Sequence, residues 1–153
     1  MTEARKAKAV PPPSDETAYR LEDQVGYLIR RAHQRASAIF QALIGDAQIT
    51  PTQYSTLVKL HDLGELSQNH LGRLTAMDPA TTQGVIRRLQ ERELIANRPD
   101  PNDRRRTLLR LTPGGQTLVE ALLVNGPKVT ASTLAPLSPA EQGVFLSLLK
   151  RLV

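Results

Sequence analysis

The sequence predicts a mainly α-helical fold carrying one small β-hairpin, and three observations support that reading. Hydrophobic residues make up 40% of the chain but aromatics only 3%, and Leu, Ala, Val and Ile dominate, which suits packed helices better than a sandwich of strands. Apolar residues recur at steps of three and four over long stretches. Between two such stretches, Asp100-Pro101-Asn102-Asp103-Arg104-Arg105-Arg106 places turn residues and three arginines ahead of the strand-like run Thr107 to Thr112, the pattern of an arginine-tipped hairpin.

At 153 residues the chain falls within the range of one domain with a real core. Residues 1–15 hold basic residues, Ala and the triplet Pro11-Pro12-Pro13 without apolar periodicity, so they are expected to form a flexible arm. From Ala18, Leu21, Val25, Leu28, Ala32, Ala36, Ile39 and Leu43 trace an amphipathic helix over about 18–45. A thinner second stripe of Ile29, His33 and Phe40 lets that helix pack on two bodies.

Four later helices declare their starts locally. Thr50-Pro51-Thr52-Gln53 and Ser138-Pro139-Ala140-Glu141 each supply a cap, a proline at the first helical position and the Gln or Glu of a capping box. Asp78-Pro79 and Thr112-Pro113 repeat the cap and proline without the box, and Ser67 is a weaker cap. The predicted helices are therefore 18–45, 51–63, 67–75, 79–93, 113–134 and 138–152. Gly126-Pro127 lies within the fifth, where proline removes a backbone donor and predicts a kink or break.

The net charge of +5, with a pI near 10.0, is concentrated. Eight arginines stand against four acids between Arg87 and Arg110, leaving twelve basic and eleven acidic residues for the rest of the chain. Such a local excess is the footprint of a polyanion partner. With no cysteine, disulfides, thiolate zinc sites and thiol redox sensing are excluded. No apolar run approaches a membrane span and the basic start lacks a signal core, so a soluble cytoplasmic protein is expected.

The succession 51–63, 67–75, 79–93 has helix-turn-helix spacing. On its third helix Thr82, Val85, Ile86 and Leu89 share one side, turning Ala80, Gly84, Arg87 and Glu91 outward with Gln83 and Arg88 at the margins. Small Ala80 and Gly84 admit close approach to base edges. Gln83 suits adenine, Arg87 and Arg88 suit guanine or phosphate, and Thr81 with the helix N-terminus suits phosphate. With the hairpin, the candidate DNA contacts are Ser67, Thr81, Thr82, Gln83, Arg87, Arg88, Asp103, Arg104, Arg105 and Arg106.

Leu89-Gln90-Glu91-Arg92-Glu93-Leu94-Ile95, then Asp103-Arg104-Arg105-Arg106, then Leu109-Arg110-Leu111-Thr112-Pro113-Gly114-Gly115 resembles the signature of the multiple antibiotic resistance regulator (MarR) family. The resemblance runs from about residue 18 to the C-terminus. It implies a dimeric winged helix-turn-helix transcription factor, commonly a repressor, in which Arg105 matches the minor-groove arginine of the wing and Asp103 the acid that orients it. Glu93 departs from the glycine usual at the end of the recognition helix. Three segments follow: the arm, a DNA-binding domain at 49–112, and helical dimerisation regions at 16–48 and 113–153.

A homodimer also follows from surplus apolar helix face: the Leu21 to Leu43 stripe, then Leu118, Val119, Leu122 and Leu123, then Val144, Phe145, Leu148, Leu149 and Leu152. A two-fold dimer predicts a pseudo-palindromic double-stranded operator. The resemblance further implies release by a small organic effector, an aromatic acid or its CoA thioester, with Arg30, His33, Tyr54, His61 and Arg73 as candidate ligand residues. His33, His61 and His70 lack metal-pair spacing, so no metal and no cofactor are expected. Nothing resembles a nucleophile set or phosphate loop, so no enzyme is expected either. The competing reading is a winged-helix module for protein or RNA contacts.

Overall fold

The computed structural model describes residues 19–153, so the expected 1–15 arm lies outside the described residues. A single 3-10 turn, Leu21–Asp23, precedes α1 (Val25–Leu43). The helix expected over 18–45 is thus interrupted at Gln24, whose extended backbone (ψ 131°) is fastened by its own amide to Leu21 O and by its side chain to Arg20 O. Apolar periodicity continues across this joint and could not reveal it.

The remaining order is α2 (Pro51–Leu63), β1 (Leu66–Ser67), α3 (Gln68–Leu74), α4 (Pro79–Glu91), β2 (Ile95–Pro99), β3 (Thr107–Leu111), α5 (Pro113–Leu134) and α6 (Pro139–Lys150). The caps behave as their chemistry dictates. Thr50 and Ser138 form complete capping boxes with Gln53 and Glu141, while Asp78 and Thr112 accept from the amides of Thr81 and Gly115.

The three strands form an antiparallel sheet of order β1-β3-β2. β2 and β3 pair from Ile95 opposite Leu111 to Pro99 opposite Thr107, and the two-residue β1 adds Leu66 opposite Leu109. That third strand is absent from the sequence reading because two residues carry no pattern of their own.

The core joins α1, α2, α3, α4, the sheet and α5 through Ile44, Ile49, Leu57, Leu60, Leu71, Leu89, Leu109, Val119 and Leu122, all nearly or wholly buried. Val119 and Leu122 therefore belong to the intramolecular core and not to a surplus face. Gly72 lets α3 and α4 close together, since a Cβ there would stand 2.8 Å from Thr82 Oγ1. By contrast, Leu21, Val25 and Leu28 before and on α1, and Val144, Phe145 and Leu148 on α6, remain exposed.

The break expected at Gly126-Pro127 does not occur. α5 runs unbroken from Pro113 to Leu134 with Pro127 inside it. Proline deletes one backbone bond, to the Leu123 carbonyl, but α5 is packed along both α1 and α2, and that burial holds the helix through the defect. Gly126 serves the packing: a Cβ there would lie 2.5 Å from the Tyr54 hydroxyl.

Candidate nucleic-acid interface

Helix α4 presents the expected two-sided pattern. Thr82, Val85, Ile86 and Leu89 are buried, while Thr81, Gln83, Arg87 and Arg88 are exposed. Thr82 is thereby corrected from a DNA contact to a packing residue: it is 1% exposed and its hydroxyl donates to Asp78 O at 2.8 Å. Thr81 is also committed, because Asp78 accepts its amide at 2.9 Å and its hydroxyl at 2.6 Å. Those hydrogen bonds hold the Asp78 carboxyl below its ordinary pKa, so an acid already occupies the helix end expected to take phosphate.

Between α4 and the wing runs a cleft of about 410 Å³ lined by Gln68, Gln83, Arg87, Gln90, Asn97 and Thr107. Gln90 Nε2 donates to Asn97 Oδ1 at 2.8 Å, bracing the helix against β2. Gln83 and Arg87 lie on its α4 wall. Arg87 is only loosely held, 3.7 Å from Glu91 with both side chains mostly exposed, a pair that contributes little.

The wing turn is built by two aspartates. Asp103 Oδ1 accepts the Arg105 amide at 2.9 Å and its carbonyl accepts the Arg106 amide at 2.9 Å. Asp100, 8% exposed, accepts the Asn102 amide at 2.8 Å and donates its own amide to Arg106 O at 2.9 Å. Asp100 was missed as a structural determinant of the site. Its signal was the Asp-Pro-Asn spacing that lets a carboxylate cap the amide two residues on.

The basic segment divides once its partners are seen. Arg92 pairs with Asp46 at 2.8 Å, Arg98 with Glu65 at 2.7 Å, and Arg106 reaches Ser67 Oγ at 3.3 Å and lies 3.9 Å from Asp100. Among the described residues, no carboxylate oxygen lies within 4.0 Å of the guanidinium nitrogens of Arg88, Arg104, Arg105 or Arg110. The uncompensated charge therefore sits on α4, at the wing tip and on β3.

The sequence profile of the MarR family matches residues 49–107. The transcriptional repressor NicR of Pseudomonas putida is 39% identical over 141 residues, covering 92% of this chain and 89% of that protein. The chain belongs to the MarR family. Within it, the structure is similar to that of BpsR from Bordetella bronchiseptica, solved in a study of the regulation of its DNA binding by 6-hydroxynicotinic acid: TM-score 0.83, 43% identity, 88% of this chain and 96% of that one. It is also similar to the PcaV regulator of Streptomyces coelicolor in complex with its natural ligand: TM-score 0.81, 33% identity, 88% and 95% coverage. This MarR-family chain thus has a winged helix-turn-helix fold and is a DNA-binding transcription regulator.

The five candidate ligand residues are not brought together within the described chain. Only Tyr54 lines the groove of about 360 Å³ among α1, α2 and α5, with Phe40, Leu123, Gly126 and Pro127. Its ring meets Phe40 edge-on at 5.6 Å, and burial, then the Asp62 charge, raise its phenol above the ordinary pKa. Arg30 lies 5.4 Å over the Tyr27 ring, exposed His33 is 3.5 Å from Ser37 Oγ, and His61 faces Asp62 at 3.0 Å. Arg73 lines a different cleft, between α3 and α4. Phe40, Gly126 and Pro127 were not anticipated as groove residues; the glycine-proline pair was visible but read only as a helix defect.

Proposed function

We propose that the chain is a homodimeric repressor that grips a pseudo-palindromic operator and releases it when a small aromatic acid binds. The observation that carries the DNA geometry is the cleft wall of Gln83 and Arg87 facing a wing whose Arg104 and Arg105 have no acidic partner among the described residues. Gln83, Arg87 and Arg88 address the major groove and Arg105 the minor groove, with Arg104 on phosphate. Ser67, Asp103 and Arg106 hold the wing in place, and Arg106 adds charge near the backbone.

Residues 49–112 form the DNA-binding unit and 16–48 with 113–153 the dimerisation region. Exposed Leu21, Val25 and Leu28, and Val144, Phe145 and Leu148, support the second assignment, because such contiguous apolar faces mark interaction surfaces. The effector is assigned to the Tyr54 groove, whose volume of about 360 Å³ suits a single substituted ring better than a whole thioester. The 6-hydroxynicotinic acid study of BpsR favours a hydroxylated heteroaromatic acid. Of the five candidates Tyr54 alone lines that groove, where its phenol can donate to the ligand's polar edge; Arg30, His33, His61 and Arg73 do not line it.

The test is selection of duplexes from a random pool by the wild-type protein, followed by anisotropy titration with and without 6-hydroxynicotinic acid. An inverted-repeat consensus and acid-dependent release are expected. A protein that enriches no duplex overturns the proposal, and one that binds DNA but ignores every aromatic acid tried overturns the effector assignment.

A further inference from the structure

Arg92 is the C-cap of α4, and its partner Asp46 lies in the loop between α1 and α2. Arg92 Nη2 donates to Asp46 Oδ2 at 2.8 Å, with the side chains 28% and 19% exposed. The acid is fixed to its loop twice over, since Oδ1 accepts the Gln48 amide at 2.8 Å and its carbonyl accepts the Ile49 amide at 3.1 Å.

That loop is fastened in turn to the long helices. Asn125 Nδ2 on α5 donates to Ile44 O at 3.1 Å, and Gln41 Nε2 on α1 donates to Ile49 O at 2.8 Å. Gly45 adopts φ +96°, and a Cβ there would stand 2.8 Å from Asn125 Nδ2, so loop and α5 touch without slack. A continuous set of polar contacts therefore runs from α5 and α1 through Asp46 to the last turn of α4.

The pair is poorly arranged for stability alone. Arg92 Nη1 is buried without a hydrogen-bond partner among the described residues, and an orphaned buried donor offsets much of what an ion pair contributes. Its one contact ties the C-cap of α4 to the loop between α1 and α2.

We infer that Arg92 is a positioning residue for DNA binding, which through Asp46 sets the angle of α4 against the α1–α5 frame and does not itself touch DNA. The inference rests on the reading of α4 as the groove-facing helix. A basic residue at the end of that helix would otherwise be assigned to a phosphate, and the two roles differ in salt dependence: losing a phosphate contact lowers the log–log salt slope by about one.

The experiment compares wild type, Arg92→Met, Asp46→Asn and the charge exchange Asp46→Arg with Arg92→Asp, using the wild-type-selected duplex at several salt concentrations and melting curves for each protein. Both single variants are expected to lose about tenfold or more in affinity with the wild-type salt slope unchanged, and the exchange to recover most of it. Asp46→Asn is isosteric and leaves the loop's own bonds, so it carries the test if Arg92→Met does not fold. A reduced slope for Arg92→Met with Asp46→Asn at wild-type affinity overturns the inference, as does wild-type affinity in both single variants. A wild type that holds no duplex overturns the DNA reading and this inference with it.

Discussion

The Ser67 hydroxyl serves two elements at once, accepting the His70 amide at 3.4 Å as the cap of α3 and Arg106 Nη2 at 3.3 Å from the wing. Helix-turn-helix and wing are thereby joined at one atom. Arg106 is further tied to Asp100, by its carbonyl and across 3.9 Å by its guanidinium. Of three consecutive arginines, the last anchors the wing and the first two project from its tip.

Arg105→Ala is expected to weaken operator binding by about 1–3 kcal/mol and to lower the salt slope by about one. Its side chain is exposed and has no acid partner among the described residues, so the melting temperature should hold. Anisotropy titrations across a salt series decide the point, and wild-type affinity would remove Arg105 from the interface.

Gln83→Ala should relax the preference at one base position per half-site, a bidentate amide–adenine pair being worth about 1–3 kcal/mol of discrimination. Repeating the duplex selection with this variant reads the effect directly. An unchanged consensus would show that Gln83 reads no base.

Glu93 takes the left-handed conformation, φ +56°, at the position where the family's glycine is usual. A side chain there costs about 1–2 kcal/mol, against about 0.5–1 kcal/mol of extra chain entropy that glycine loses on folding. Glu93→Gly is therefore expected to stabilise the protein, by up to about 1.5 kcal/mol on these terms. A lower denaturation midpoint would contradict that accounting.

The Asp46–Arg92 pair also has an acid signature. Burial pushes the Asp46 carboxyl up, but hydrogen bonds from Arg92 and Gln48 and the Arg92 charge outweigh it and hold the group below its ordinary 3.8. A carboxyl depressed in the folded state contributes stability above its unfolded pKa and loses it as pH falls through the lower folded one. The stability gap between wild type and Asp46→Asn should thus be full at neutral pH and narrow below 3.8. Denaturant midpoints measured across the acid range test this, and a gap independent of pH would show that the carboxylate charge is not what the pair uses.

Phe145 and Leu149 on α6 are 42% and 37% exposed, and Leu28 on α1 is 51% exposed. If these faces meet in a dimer, replacing Leu28 or Leu149 by Glu should shift the protein to monomer in light scattering and abolish tight operator binding. A wild-type monomer at micromolar concentration would contradict the dimer.

Much of the fold was legible because it is specified locally. Thr50, Asp78, Thr112 and Ser138 each begin a helix with groups no more than three residues away, and the wing hairpin closes on its own turn. Two features that escaped were settled at a distance: β1, which exists only by pairing with β3, and the continuity of α5 through Pro127, sustained by packing on α1 and α2; the joint at Gln24 is local, but apolar periodicity runs across it. Thr81 is a mixed case, since its partner Asp78 is local but the cap and the phosphate site compete for the same amide.

The sequence by itself determined the six helical segments, the capped starts of α2, α4, α5 and α6, the hairpin and the place where basic charge accumulates, because hydrophobic period, capping and turn chemistry act over a few residues. Only the tertiary structure decided which arginines that charge leaves for DNA. Arg92 finds Asp46 across 46 positions and Arg98 finds Glu65 across 33, while among the described residues the guanidinium groups of Arg104 and Arg105, equally basic in sequence, have no carboxylate within salt-bridge distance. Coulombic pairing depends on separation in space, and the fold sets that separation.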